Sequence, residues 1–216
     1  DIFSYDTIRT AKSKTAIEFI DTTRVDVTEH SKLVIDEFVY DPNKKTGKLS
    51  LKASLGTVRY ASGQIAKNNP TSIKITTPTA TIGVRGTDFS MTVDELGSST
   101  IILLPSCDTN GNCYVGEISV ESDAGQVILS QAFQATVVDT VSSTPMKPVI
   151  LGLDENMINN LLIISRNKRS LDRCSTSRFE HAATTFFRSK ELHHVWIDSR
   201  IHHYPRAAAQ LGVWRN

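Results

Sequence analysis

Apolar and polar side chains alternate through most of the chain as far as residue 140. Ile17 and Phe19, Val25 and Val27, and Leu33 and Ile35 form the first pairs, separated by Asp21-Thr22-Thr23 and Glu29-His30-Ser31. Leu49 and Leu51, Val58 and Tyr60, Ile73 and Ile75, and Phe89, Met91 and Val93 continue the series. A period of two places alternate side chains on opposite faces of a pleated strand, so each run predicts a short, half-buried strand. Gly56 and Gly63 punctuate the pattern, and Lys67-Asn68-Asn69-Pro70 reads as a polar turn. The cluster Asp41-Pro42-Asn43-Lys44-Lys45-Thr46-Gly47 predicts an exposed loop. Residues 94–99 read as a hairpin loop. Residues 100–104 form an unbroken apolar run, which predicts a strand covered on both faces. Glu117-Ile118-Ser119-Val120-Glu121, then residues 124–129 and 135–138, close the series. Roughly a dozen strands with frequent turns predict an all-β fold, either a β-sandwich or a solenoid-like double sheet. No fixed-period repeat supports a true solenoid.

Past residue 140 the pattern changes. Val141-Ser142-Ser143-Thr144-Pro145-Met146-Lys147-Pro148 has the composition of a linker. Asp154 then offers a cap for a short helix that gathers Met157, Ile158, Leu161 and Leu162 on one face. The expected division is a β domain over 1–140, linker and helix over 141–164, and a helical or irregular tail over 165–216. Charge follows the same division. The whole chain has 24 basic and 23 acidic residues, but 14 basic and 19 acidic lie before Ser165, against 10 and 4 after it.

The tail also holds five of the six histidines, His181, His193, His194, His202 and His203. Adjacent histidines on a helix point about 100° apart and share one ion poorly, so a solvated basic helix is favoured over a metal site. Arg173, Arg178, Arg188 and Arg200 interleave with Phe179, Phe186, Phe187 and Trp196, a superficial nucleic-acid patch that matches no binding motif. A reading-frame scar is a further reading of this tail. No run of about 18 apolar residues predicts a membrane span.

The densest local information lies in Gly83-Val84-Arg85-Gly86-Thr87-Asp88. Two glycines there permit a bulge or corner, framing Arg85 with the hydroxyl of Thr87 and the carboxylate of Asp88. The expectation is a structural ion pair between Arg85 and Asp88 that locks the corner, with a ligand-binding role as the alternative. No helix pattern follows, which argues against a phosphate loop. Cys107 and Cys113 flank Asp108-Thr109-Asn110-Gly111-Asn112, whose Asn-Gly is a strong hairpin signal. They are read either as a disulfide across that hairpin or as two free thiols. Their spacing suits zinc poorly, and Cys174 is left over as an exposed thiol.

The string Thr77-Pro78-Thr79-Ala80-Thr81-Ile82-Gly83-Val84-Arg85-Gly86-Thr87-Asp88-Phe89 resembles the signature of the FecR-type domain. Asp6-Thr7-Ile8-Arg9-Thr10, Lys14-Thr15-Ala16-Ile17-Glu18-Phe19, Leu33-Val34-Ile35-Asp36 and Leu55-Gly56-Thr57-Val58-Arg59-Tyr60-Ala61-Ser62-Gly63 fit the same pattern. The resemblance spans roughly the first half of the chain. It implies an all-β, non-catalytic extracytoplasmic domain. The best-known members regulate sigma factors from the periplasm, and similar domains occur in secreted and bacteriophage proteins.

Three function classes follow. Catalysis is disfavoured, because His30 is the only histidine before residue 165 and no nucleophile elbow is present. Asp36-Glu37 and Asp94-Glu95 read as solvated surface. No cofactor is expected. A periplasmic signal transducer that meets its partner through a sheet edge or loop is the second class. The expected regulator segments, a helical anti-sigma region and a membrane span, are not seen in these residues. The favoured expectation is therefore a structural assembly protein of a bacteriophage virion, in tail, baseplate or neck. Its partners would be other protein subunits in a homo- or hetero-oligomeric assembly, with nucleic acid disfavoured. Virion localisation goes with that expectation, and periplasm or extracellular space with the alternative.

Overall fold

The computed structural model describes residues 2–107 and 112–152, together with the backbone of 196–198. In chain order the elements are β1 (Thr7–Arg9), β2 (Thr15–Glu18), β3 (Arg24–Val27), β4 (Lys32–Asp41), β5 (Thr46–Ala61), α1 (Gln64–Asn68), a 3-10 turn (Pro70–Ser72), β6 (Ile73–Thr76), β7 (Thr81–Arg85), β8 (Asp88–Val93) and β9 (Ser99–Leu104). Then come β10 (Ser106–Cys107), β11 (Cys113–Tyr114), β12 (Glu117–Ser122), β13 (Gly125–Leu129), β14 (Gln134–Val138), β15 (Val149–Ile150) and β16 (Trp196–Asp198). The fold is all-β, as expected. Among the described residues no helix is long and apolar enough to cross a membrane.

One strand makes the architecture. The first part of β5 pairs antiparallel with β4 and parallel with β6, while its last part pairs with β3 and β8. The partner change falls at Gly56. Its φ is +83°, and a Cβ there would stand 2.1 Å from Ser31 Oγ and 2.7 Å from Ser31 Cα. Only glycine meets both conditions without strain or displacement. Through this strand a 14-stranded sheet curls back on itself. One layer runs β13-β12-β7-β6-β5-β4-β1-β16; the other runs β2-β3-β5-β8-β9-β14-β15.

The alternating residues account for the core between the layers. Leu33, Ile35, Leu49, Leu51, Ile75, Ile82, Val84, Ile118 and Val120 come from the first layer. Ile17, Val25, Val27, Val58, Tyr60, Phe89, Met91, Val93, Ile101 and Leu103 come from the second, all in one buried cluster. Phe19 packs tilted against Phe38 with ring centroids 4.8 Å apart, and Tyr60 against Phe89 at 5.3 Å. Each fully buried apolar side chain of this size contributes about 1.5–3 kcal/mol relative to exposure, so the curl is held by burial on its inner face.

Several expectations need correction. The runs around Leu49 and Val58 were expected as separate short strands and are the two ends of the 16-residue β5, because Gly56 bends the strand without breaking its ladder. The turn expected over Lys67-Asn68-Asn69-Pro70 begins inside α1. There the carboxylate of Asp21 accepts from the Thr23 amide at 3.1 Å, the Thr23 hydroxyl at 2.7 Å and the Ile65 amide at 3.3 Å. The strand over residues 100–104 is closed on one face only, since Thr100 and Ile102 are half-buried. Residues 141–148 are not free of the sheet. Met146 exchanges bonds with β14, its N–H to the Val137 carbonyl at 2.9 Å and its carbonyl from the Thr136 hydroxyl at 2.7 Å. β15 then adds a last strand beside β14, so the sheet continues past residue 140. The expected helix at 157–162, the histidine pairs and Cys174 lie outside the described residues. Within the tail, β16 pairs with β1 in register Thr7↔Asp198 and Arg9↔Trp196.

Candidate functional site

The chain turns between β7 in one layer and β8 in the other. Gly86 has φ +62°, so the chain turns there with a residue suited to the left-handed region. Gly83 is not at the corner; it lies inside β7 between Lys74 of β6 and Ser119 of β12. Thr87 is fully buried, its hydroxyl donating to the Leu104 carbonyl at 3.2 Å, while Ser62 Oγ donates to the Thr87 carbonyl at 2.6 Å. The corner backbone is thus tied to the ends of β5 and β9.

The ion pairing differs from the expectation. Arg85 and Asp88 do not pair with each other. Arg85 Nη1 meets Glu117 Oε1 at 2.8 Å, across the β7–β12 ladder in which these residues are register partners. Asp88 Oδ2 meets Arg59 Nη2 at 3.3 Å across the β5–β8 pair. Topology explains the exchange. Arg85 ends a strand of the first layer and Asp88 begins a strand of the second, so each side chain finds its neighbour across its own ladder. Cross-strand neighbours, opposed for Arg85 and Glu117 and diagonal for Arg59 and Asp88, outweigh proximity in sequence here.

The two pairs occupy different media. The Arg85 and Glu117 side chains are 67% and 34% exposed, against 14% and 12% for Arg59 and Asp88. Asp88 also accepts from Ser106 Oγ at 2.7 Å and from the Ser62 amide at 3.3 Å. Burial nevertheless holds its carboxyl above the ordinary 3.8, the Ser106 hydroxyl and the Arg59 guanidinium offsetting only part of the desolvation. Alternation places Arg59 and Asp88 on the outer face of their layer, opposite Val58, Tyr60 and Phe89. Beside them Arg24 Nη2 meets Asp26 Oδ1 at 2.8 Å, and Asp26 stands in register with Arg59.

A small hairpin closes over this corner. β10 and β11 pair as a separate two-stranded sheet, joined by a disulfide from Cys107 to Cys113. Its first strand carries Ser106, the donor to Asp88. Its return leads to Gly116, where a Cβ would stand 2.4 Å from the Arg85 carbonyl oxygen. Both roots of the hairpin therefore rest on the corner, and the disulfide joins them.

Sequence reasoning found Gly86, Thr87 and Asp88 but missed Arg59, Ser62, Ser106 and Glu117. Arg59 carried a usable signal: a lone charge between Val58 and Tyr60 in a run of core residues must project from the outer face and needs a carboxylate there. Chemically, the arrangement fixes backbone. One hydroxyl, one amide and a guanidinium hold Asp88, and neither histidine nor thiolate stands in the cluster. Among the described residues no group of three or more His, Cys, Asp or Glu side chains is placed to hold a metal ion.

A curled all-β domain with a polar corner at the crossing of its layers is the class that this geometry defines. Residues 6–104 match the family model described as FecR protein, and this part of the chain is a FecR-type domain. Two crystal structures of a proposed anti-sigma factor from Parabacteroides distasonis are similar to the chain at 10% and 9% identity, each with a TM-score of 0.46. The likeness covers 65% and 64% of this chain but 57% and 56% of theirs, so the chain spans little more than half the length of that protein. No curated protein matches the chain. None of these likenesses supports the virion assignment.

Proposed function

We propose that the chain is an extracytoplasmic FecR-type signalling domain, which regulates a sigma factor through protein–protein contacts and performs no chemistry of its own. The observation that carries this reading is the family match over residues 6–104, with the corner motif in its C-terminal part. The disulfide supports an oxidising compartment, periplasmic or extracellular, because paired cysteines of this kind are rare in the cytosol. Partner recognition has available surfaces. Among the described residues β13 pairs only with β12 and leaves its other edge open, with Ile128 51% exposed. An added strand at such an edge gains main-chain hydrogen bonds and side-chain pockets together.

The test is made in the host. Deleting the coding segment for residues 6–150 and measuring transcription genome-wide is expected to change a small set of promoters that share one sigma factor. Unchanged transcription, with the chain recovered by mass spectrometry from purified virions, overturns this reading in favour of assembly.

A further inference from the structure

Away from the corner, at the rim where β1 meets β4, the register sets Arg9 directly opposite Lys32. Like charges facing each other across a ladder are destabilising. Among the described residues neither side chain has a carboxylate within ion-pair distance. The same two residues line a depression of about 330 Å³ together with Thr10, His30, Ser31 and Leu55. Lys12 and Lys14 follow on the exposed segment between β1 and β2, and Glu29 is the acid adjoining His30. This local excess of cations runs against the balance of the first 164 residues, where acids predominate.

The walls of the depression are held in place. The His30 amide donates to the Ala11 carbonyl at 2.8 Å, and the Thr10 amide to the Ser31 carbonyl at 3.0 Å. Ser31 N–H returns a bond to Thr10 Oγ1 at 2.9 Å, and Thr10 Oγ1 donates to the Thr28 carbonyl at 2.5 Å. His30 itself has φ +54°, a backbone conformation that costs energy and concentrates at functional positions. The cationic pair therefore stands at two strand ends whose adjoining loops are laced together beside the Gly56 crossing. Phosphate suits this pair: a guanidinium fork grips two oxygens, and an ammonium beside it supplies a point charge.

We propose that this depression binds a phosphate group, carried by a soluble phosphorylated molecule or by a lipid headgroup. Arg9 and Lys32 hold the phosphate, and its charge relieves their mutual repulsion. His30 closes the side of the site, while Leu55 provides an apolar floor for the rest of the ligand. The inference is independent of sigma-factor regulation, since it uses neither the corner nor the open edge of β13.

The experiment titrates the full chain with inorganic pyrophosphate by calorimetry and, separately, with phosphatidylcholine vesicles containing one quarter phosphatidylglycerol by co-sedimentation. It compares the native chain with Arg9→Gln/Lys32→Gln and with a distant control, Lys74→Gln. Pyrophosphate binding that weakens about tenfold or more in the double variant, and not in the control, supports the site with a soluble ligand. Vesicle binding lost in the same variant, without pyrophosphate binding, supports it with a headgroup. A second readout needs no ligand: Arg9→Gln alone is expected to raise the midpoint of thermal unfolding by removing the repulsion. No binding of either probe, or binding equal in the double variant and the native chain, overturns the proposal. So does a lowered midpoint in Arg9→Gln.

Discussion

Arg85 and Arg59 each meet a carboxylate beside the same corner, one pair in water and the other under cover. The chemistry is alike, yet the two pairs differ in what they do to the fold. Arg85–Glu117 sits in high dielectric, where attraction is weak and the side chains lose freedom on pairing. Arg59–Asp88 lies where desolvation is expensive, and burial raises the Asp88 carboxyl despite its partners. Breaking a buried pair of this kind is expensive even where the intact pair contributes little net stability, because the remaining partner is left as an uncompensated charge.

The largest expected effect tests that claim. Arg59→Ala should cost about 3 kcal/mol, because it leaves a buried carboxylate with only hydroxyl and amide donors. Urea unfolding followed by tryptophan-independent circular dichroism measures it. Replacing both members, Arg59→Met with Asp88→Leu, should restore part of the loss by removing the uncompensated charge. A double variant weaker than either single one would mean that the pair contributes net stability.

Proton linkage sharpens the same contrast. The folded state holds the Asp88 proton more tightly than the unfolded state, whose carboxyl titrates near the ordinary 3.8. Between that value and the raised folded value the folded chain binds more protons, so the Asp88 contribution to stability falls as pH rises. Asp88→Asn should flatten this part of the profile. Urea midpoints measured from about pH 3.5 to 6 in both proteins give the difference directly.

Next in size is the hairpin clamp. Replacing Cys107 and Cys113 by serine opens a short loop and should cost about 2 kcal/mol by the chain-entropy relation. Because Ser106 is anchored beside Cys107, the loss should be smaller in an Asp88→Asn background than in the native one. Equal losses in the two backgrounds would separate the clamp from the corner.

Much of this fold was legible in the sequence. Alternation marked the core-facing residues, since Val25, Val58, Phe89 and Ile118 all point inward where the period of two places them. At the corner, Gly86 was marked by the freedom glycine gives a turn, and its φ is +62°. Illegible were the partners of its charges. Sequence distance favours Arg85 for Asp88, three positions away, whereas the fold chooses Arg59, and that choice depends on which layer each strand enters. The length of β5 was hidden for a related reason. Gly56 looks like a terminator in one dimension, and only the packing of Ser31 against it reveals a bend within a continuous ladder.

The smallest effect completes the comparison. Arg85→Ala removes the exposed partner of Glu117, and the expected change in stability is about 0.5 kcal/mol or less. Two observations lead to this figure: the Arg85 side chain is 67% exposed, and Glu117 is open enough to recover water in its place. The corner itself does not depend on the guanidinium, since Thr87, Ser62 and Ser106 hold its backbone and its carboxylate. Raising salt should shrink even this difference, as the exposed pair lies within reach of counterions and the buried one does not. If Arg85→Ala instead cost as much as Arg59→Ala in the same urea titration, the corner would be pinned from its surface, and the distinction between the two pairs would fall.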